Sequence, residues 1–152
     1  MIAALILFAQ APAAPNDLAL LRPLIEACWT AQIAAQTRDI HCFTAVFGGA
    51  HVRDVHRVEQ RGKVVYRGET IYSRSGDAVV FTYFNSLGGS GQGTARPSTD
   101  GIDFSLVMRA TAASAPADYP SHWRWTANGY DTVSDGGGTV HFTRARRADP
   151  AH

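Results

Sequence analysis

At 152 residues with a formal net charge of +1, the chain is one domain, long enough to bury a core without help from metals. It carries neither the basic field of a nucleic-acid binder nor an acidic tail for a basic partner, so no nucleic-acid partner is expected. A hydrophobic fraction of 45% against 18% charged residues excludes a disordered chain.

The N-terminus comes first and differs in kind. MIAALILFAQAPAAP is an apolar run followed by small residues, and Ala11-Pro12-Ala13 matches an A-x-A cleavage pattern. It predicts a signal segment over residues 1–15, a mature chain starting near Ala14, and a periplasmic or secreted protein. The leader has no Lys or Arg, and the alternative is a hydrophobic N-terminus on a cytoplasmic protein. Ile2 to Ala9 is shorter than the roughly 20 apolar residues a spanning helix needs, so no membrane span is expected.

Residues 16–27 hold the one helical pattern. Asn16 or Asp17 can cap, and Leu18, Leu21, Leu24 and Ile25 share a face. Pro23 keeps the helix short. A short N-terminal helix is predicted to cap one end of a sheet.

Next, CWTAQI and IHCF form a hairpin if the turn lies around Ala35-Gln36. Cys28 and Cys42 then face each other across an antiparallel pair, at Cα separations of about 4.5–5.5 Å that a disulfide tolerates. In an oxidising compartment they are expected to be bonded; two buried free thiols are the alternative.

From Ile40 to Thr143 the chain is a series of β-branched and aromatic runs: IHCFTAVF, HVRDVHRV, KVVYRGETIYS, AVVFTYFNS, GQGTARP, IDFSLVMRA, HWRWTANGYD and TVHFTR. Gly, Ser, Asp and Pro clusters separate most of them. Residues 111–121, TAASAPADYPS, form the longest irregular connection, and 145–152 a polar tail. Short turns between consecutive strands give an up-and-down order, and about eight strands is where such a sheet closes and loses its edges. The predicted fold is all-β, a single up-and-down antiparallel barrel of about eight strands over residues 16–144, with the short N-terminal helix at one end. An open, curved sheet around the helix is the alternative.

A helix followed by an eight-stranded meander resembles the calycin (lipocalin-like) superfamily, over residues 18–144. Leu24-Ile25-Glu26-Ala27-Cys28-Trp29 looks like the opening of such barrels, where a Trp on the first strand closes one end. The Gly-x-Trp motif of true lipocalins is missing, because Ala27 stands where Gly would be.

Charged residues mark the outer face of each strand. Arg53 and Arg57 point out, so Val52, Asp54, His56 and Val58 point in. Arg67, Glu69 and Ser73 point out, so Val64, Tyr66, Gly68, Thr70 and Tyr72 point in. Val79, Phe81, Tyr83 and Asn85 form the inner set of the next run, and Ile102, Phe104, Leu106 and Met108 that of IDFSLVMRA. Trp123, Trp125, Val140 and Phe142 complete the wall. Turns at Gln60-Arg61-Gly62, Arg74 to Asp77 and LGGSG predict two rows across the wall, Asp54–Gly68–Tyr83–Ala95 and His56–Tyr66–Asn85–Gly93.

The interior so drawn has a polar side (Asp54, His56, Tyr66, Thr70, Tyr72, Tyr83, Asn85) and an apolar side (Phe104, Leu106, Met108, Trp123, Trp125). Glycines leave space between them. An apolar cavity with convergent polar groups is the usual form of a small-molecule site, and the expected role is holding a small, partly apolar ligand. The alternatives are a satisfied Asp–His–Tyr network in a filled structural core, or a small barrel enzyme. In the enzyme, His56 is the general base, oriented by Asp54, with a tyrosine as acid.

Other motifs point to no cofactor. Gly88-Gly89-Ser90-Gly91-Gln92-Gly93 lacks the following helix of a phosphate loop and is expected to be a hairpin turn; Gly136-Gly137-Gly138 is another. Of His41, His51 and His56, only His56 shares a strand face with Asp54, short of the three or four ligands zinc needs, so no metal is expected. His141 is placed like the ligand of haem-binding nitrobindin-type barrels, but its parity turns it outward and that family's glycine-rich N-terminal motif is absent. No Ser lies in a nucleophile elbow. Trp29, Trp123, Trp125 and Tyr130 suit a core at strand spacing better than a stacking platform for nucleic acid or carbohydrate.

Overall fold

The structure, a computed structural model, describes residues 17–136 and 138–145. The signal-segment prediction for 1–15, Gly137 and the tail beyond Ala145 lie outside the described residues. Eleven strands form one antiparallel sheet: β1 (Ala27–Ala34), β2 (Thr37–Val46), β3 (His51–Gln60), β4 (Lys63–Ser75), β5 (Ala78–Asn85), β6 (Gly88–Pro97), β7 (Gly101–Thr111), β8 (Ala117–Asp118), β9 (Ser121–Thr126), β10 (Gly129–Ser134) and β11 (Gly138–Arg144). Each pairs with its neighbour in the chain, except that β9 passes over the two-residue β8 to pair with β7. β1 then meets β11 through Trp29 and Arg144, and the sheet closes into a barrel.

Ten strands make the closed wall and β8 lies outside it, so the expected count of about eight is corrected. CWTAQI is a full strand. HWRWTANGYD is two, β9 and β10, turning at Ala127-Asn128.

The N-terminal helix is also corrected. Residues Asp17–Leu21 make one 3-10 turn instead of the helix expected over 16–27. Two further turn bonds follow, Leu24 N–H to Leu21 O and Ile25 N–H to Arg22 O, before Glu26 adopts φ 57° and swings the chain into β1. Pro23 has no N–H to extend the ladder. The segment still plugs the barrel: Leu18, Leu21 and Leu24 are buried, and Trp29 Nε1 donates to the Leu24 carbonyl at 3.1 Å. Ile25 is only half-buried, on a bridge to Phe43.

Apart from Val64, the inner faces are those the charge pattern predicts, but the registers differ. His56 lies opposite Gly68 and Asp54 opposite Thr70, because an irregularity at Val58/Glu59 adds a residue on β4. Tyr83 lies opposite Thr70 and Gly91, and Asn85 opposite Gly68. The turns there are tighter than expected. These pairs are displaced by an even number of residues and keep their faces, but Val64 does not: the extra residue, Val65, sets it opposite Glu59, and it is exposed instead of pointing in. The glycine-rich stretch is corrected too: Gly88–Pro97 is strand β6, paired on both sides, not a loop. Side chains at Gly91 and Gly93 would collide with Met108 and Phe81, respectively.

Cys28 and Cys42 face each other as expected and are joined. Among the described residues, no helix is long and apolar enough to cross a membrane.

Candidate functional site

Tyr130 stacks between Trp123 and Phe142, with centroids 4.8 and 4.9 Å away, and Trp29 meets its edge. Beside this aromatic cluster the barrel holds a cavity of about 670 Å³ that is open on one side. Phe81, Phe104, Leu106, Met108 and Trp123 give it an apolar wall; His41, Asp54, His56, Thr70, Tyr72 and Tyr83 face it with polar atoms. Asp118 to Ser121, from the irregular connection, and Ser134-Asp135, from the β10–β11 turn, complete the lining.

Of the residues predicted from sequence, Asp54, His56, Thr70, Tyr72, Tyr83, Phe104, Met108 and Trp123 line this cavity. Tyr66, Asn85 and Trp125 do not. The Tyr66 hydroxyl hydrogen-bonds to that of Tyr83, and its ring meets the edge of His56 at 5.3 Å. Asn85 is consumed by the β5–β6 turn: its Oδ1 accepts from Leu87 and Gly89 N–H, and its Nδ2 donates to Ala110 O. Trp125 packs against Tyr130.

Gly68 is needed for the tyrosine pair. A Cβ there would stand 2.7 Å from the Tyr83 hydroxyl, so Tyr83 crosses the space that a larger residue would fill.

The polar side centres on two histidines and two aspartates. The connection at residues 47–50 sets β2 against β3 so that His41 and His56 are direct partners. Phe47, Gly48 and Gly49 all take positive φ in that connection. The two imidazoles stack, with centroids 4.1 Å apart and planes 13° from parallel. Asp54, 1% exposed, accepts from His41 Nδ1 at 2.7 Å through Oδ2, so that nitrogen carries the proton. On the other side, Asp39 Oδ1 lies 2.7 Å from His56 Nε2 and 3.7 Å from His41 Nε2.

These contacts move protons. Burial acts most strongly on His41 and favours its neutral form, but the Asp54 charge and hydrogen bond, with Asp39, outweigh it and raise the pKa. Burial pushes the Asp39 carboxyl up, yet the His56 contact and the two imidazoles outweigh that and hold it below its usual value. Burial raises the phenols of Tyr72 and Tyr83, and the Asp54 charge adds to both, so they stay protonated.

Neither His41 nor Asp39 belongs to the predicted site. The readable signal was the connection after Val46: folding the chain back there sets His41 across from His56, and alternation then brings Asp39 to the same face. The predicted Asp54–His56 pairing is replaced by two pairs, Asp54 with His41 and Asp39 with His56.

Comparison with protein-family models, with curated proteins and with solved structures gives no match to this chain.

Proposed function

We propose that this protein is an exported, calycin-like barrel that binds a small, partly apolar molecule in its interior. The observation that carries the reading is the cavity of about 670 Å³ with an apolar wall facing a polar side. That volume lies within the roughly 300–1,000 Å³ of small-molecule sites. A filled interior would favour a structural role. The Cys28–Cys42 disulfide supports an oxidising compartment, the periplasm or outside the cell. The fitting ligand has an apolar body to lie on Phe104, Leu106 and Trp123 and a polar end for His56, Thr70 and Tyr83.

A thermal-shift and native mass-spectrometry screen of small amphipathic molecules tests this. A ligand should raise the melting temperature of the parent. Leu106→Trp, which fills the cavity, should abolish the shift, and His56→Ala should weaken binding while folding is retained. If no ligand is found and His56→Ala is strongly destabilising, the polar side is a closed structural network and the binding reading fails.

One observation favours a second reading, a small barrel enzyme. An imidazole held by a buried carboxylate beside a second imidazole is the equipment of general acid–base catalysis. In that reading His56 is the base and His41, held by Asp54, the acid. Turnover of a bound molecule that His56→Gln abolishes without abolishing binding would select it.

A further inference from the structure

We propose that Asp39, His41 and His56 form a site for a divalent transition-metal ion of the zinc, iron(II) and cobalt class, with Asp54 holding His41 in place behind it. Asp39 Oδ1, His41 Nε2 and His56 Nε2 all lie within 4.8 Å of one another, the single such group among the described residues. Metal–ligand bonds of about 2.0–2.2 Å set tetrahedral ligand atoms roughly 3.3–3.5 Å apart. The 3.7 Å between Asp39 Oδ1 and His41 Nε2 fits that spacing; the 2.7 Å to His56 Nε2 reaches it by opening less than an ångström, with the stacked rings, 13° from parallel, tilting so that both nitrogens face the ion.

Three further observations point the same way. The first is the second shell. His41 donates its Nδ1–H to Asp54, so that in the neutral ring Nε2 is the lone pair and lies on the side of Asp39, the arrangement that orients metal-ligating histidines. The second is unmet polarity. Asp39 Oδ1 and His56 Nε2 are buried and within contact distance, but not aligned as a hydrogen bond, and Asp54 Oδ1 has no partner although its side chain is 2% exposed. The third is charge. Asp39 and Asp54 bring two carboxylates against two stacked imidazoles on one side of the cavity. One divalent cation balances both carboxylates and leaves both rings neutral.

The donor set fixes the class. Two imidazole nitrogens and a carboxylate suit zinc, iron(II) or cobalt; calcium and magnesium prefer oxygen, and both cysteines are held in the disulfide. His41 and His56 also line the cavity, so the remaining coordination positions open into it. The site stands whether or not an organic molecule fills the barrel.

The test uses the whole oxidised protein, stripped with a chelator. Titration of Zn²⁺ against a chromophoric competitor should show one saturable site, and Co²⁺ should give a visible spectrum of nitrogen and oxygen ligation without a sulfur charge-transfer band. Asp54→Asn should weaken Zn²⁺ binding by about 10–100-fold. His56→Gln should abolish the site, with folding checked by circular dichroism. Should either variant fail to fold, histidine ¹H–¹⁵N correlation on the parent decides: Zn²⁺ should move the Nε2 resonances of His41 and His56 and leave the His41 Nδ1–H in place. The proposal is overturned by absence of a saturable site, by binding unchanged in both folded variants, or by shifts confined to other imidazoles such as His122 and His141.

Discussion

His41 and His56 are cross-strand partners on β2 and β3, and their rings stack 4.1 Å apart inside the barrel. The pair unites what one strand alone separates. His41 brings Asp54 with it through Nδ1, and His56 brings Asp39, so four ionisable groups meet on one side of the cavity. Phe104 and Trp123 pack against each other, with centroids 4.6 Å apart, and supply apolar lining next to them; Trp123 meets the edge of His41 at 6.1 Å. The contrast between polar and apolar lining, more than any one residue, is what the proposed ligand binding rests on.

Gly68 is predicted to be irreplaceable while Tyr83 is present. In Gly68→Ala the new Cβ meets the Tyr83 ring and hydroxyl at 2.7 to 3.1 Å, so Tyr83 must leave its hydrogen bond with Tyr66. Overpacking of this kind costs about 1–3 kcal/mol. Equilibrium denaturation of Gly68→Ala, Tyr83→Ala and the double variant checks it: the double variant should be more stable than the sum of the single losses predicts. Additive losses would mean that the two residues do not compete for one space.

Trp29→Phe is predicted to loosen the plugged end of the barrel. The indole N–H donates to the Leu24 carbonyl in a buried site, and phenylalanine leaves that carbonyl without its partner. An unsatisfied buried group costs about 1–3 kcal/mol. The loss should be local, so hydrogen exchange should quicken at Leu24 to Glu26 more than across β5 and β6. Uniform acceleration would argue against a separate plug.

The disulfide is predicted to contribute about 3 kcal/mol, from the chain-entropy cost of a loop of about 15 residues. It ties Cys28 to Cys42 over a sequence separation of 14, at a register that the flanking pairs Ala27–Phe43 and Trp29–His41 already define. Cys28→Ser/Cys42→Ser should therefore lower the denaturation midpoint without changing the circular dichroism spectrum. A variant that loses the barrel altogether would show that β1 depends on the bond for its register.

Much of this site is legible in the sequence, for a physical reason. Charged residues on alternate positions label the outer face of a strand, and Arg53, Arg57, Arg67 and Glu69 label theirs correctly; Arg53 and Glu69 pair on the outside at 2.8 and 2.9 Å. Register is harder, because it turns on whether a loop holds two residues or four and on the irregularity at Val58/Glu59. His41 is not legible along a single strand, because it joins His56 only through the pairing of β2 with β3. Asn85 points inward as expected, yet the turn satisfies its amide before the cavity can use it. A short polar side chain next to a turn is more useful to its own backbone than to a ligand.

Asp131 gives the pH dependence that is simplest to isolate. It lies on β10 between Arg124 of β9 and His141 of β11, accepting from His141 at 2.6 Å and from Arg124 at 3.2 Å. The His141 hydrogen bond is the largest influence and, with Arg124, holds the carboxyl below its usual value against a smaller opposing effect of burial. Because the folded-state pKa is the lower one, the contribution to stability is present in full above the unfolded value near 3.8 and is lost as pH falls through the folded value. Exposed ion pairs contribute about 0.2–1 kcal/mol, so Asp131→Asn should cost that much at neutral pH. The parent and the variant should converge in strongly acidic solution. Denaturant midpoints of both proteins across the acid range check this, with the other carboxylates cancelling in the difference. A gap that stays constant down to the lowest pH would show that the loss comes from packing and not from the charge on Asp131.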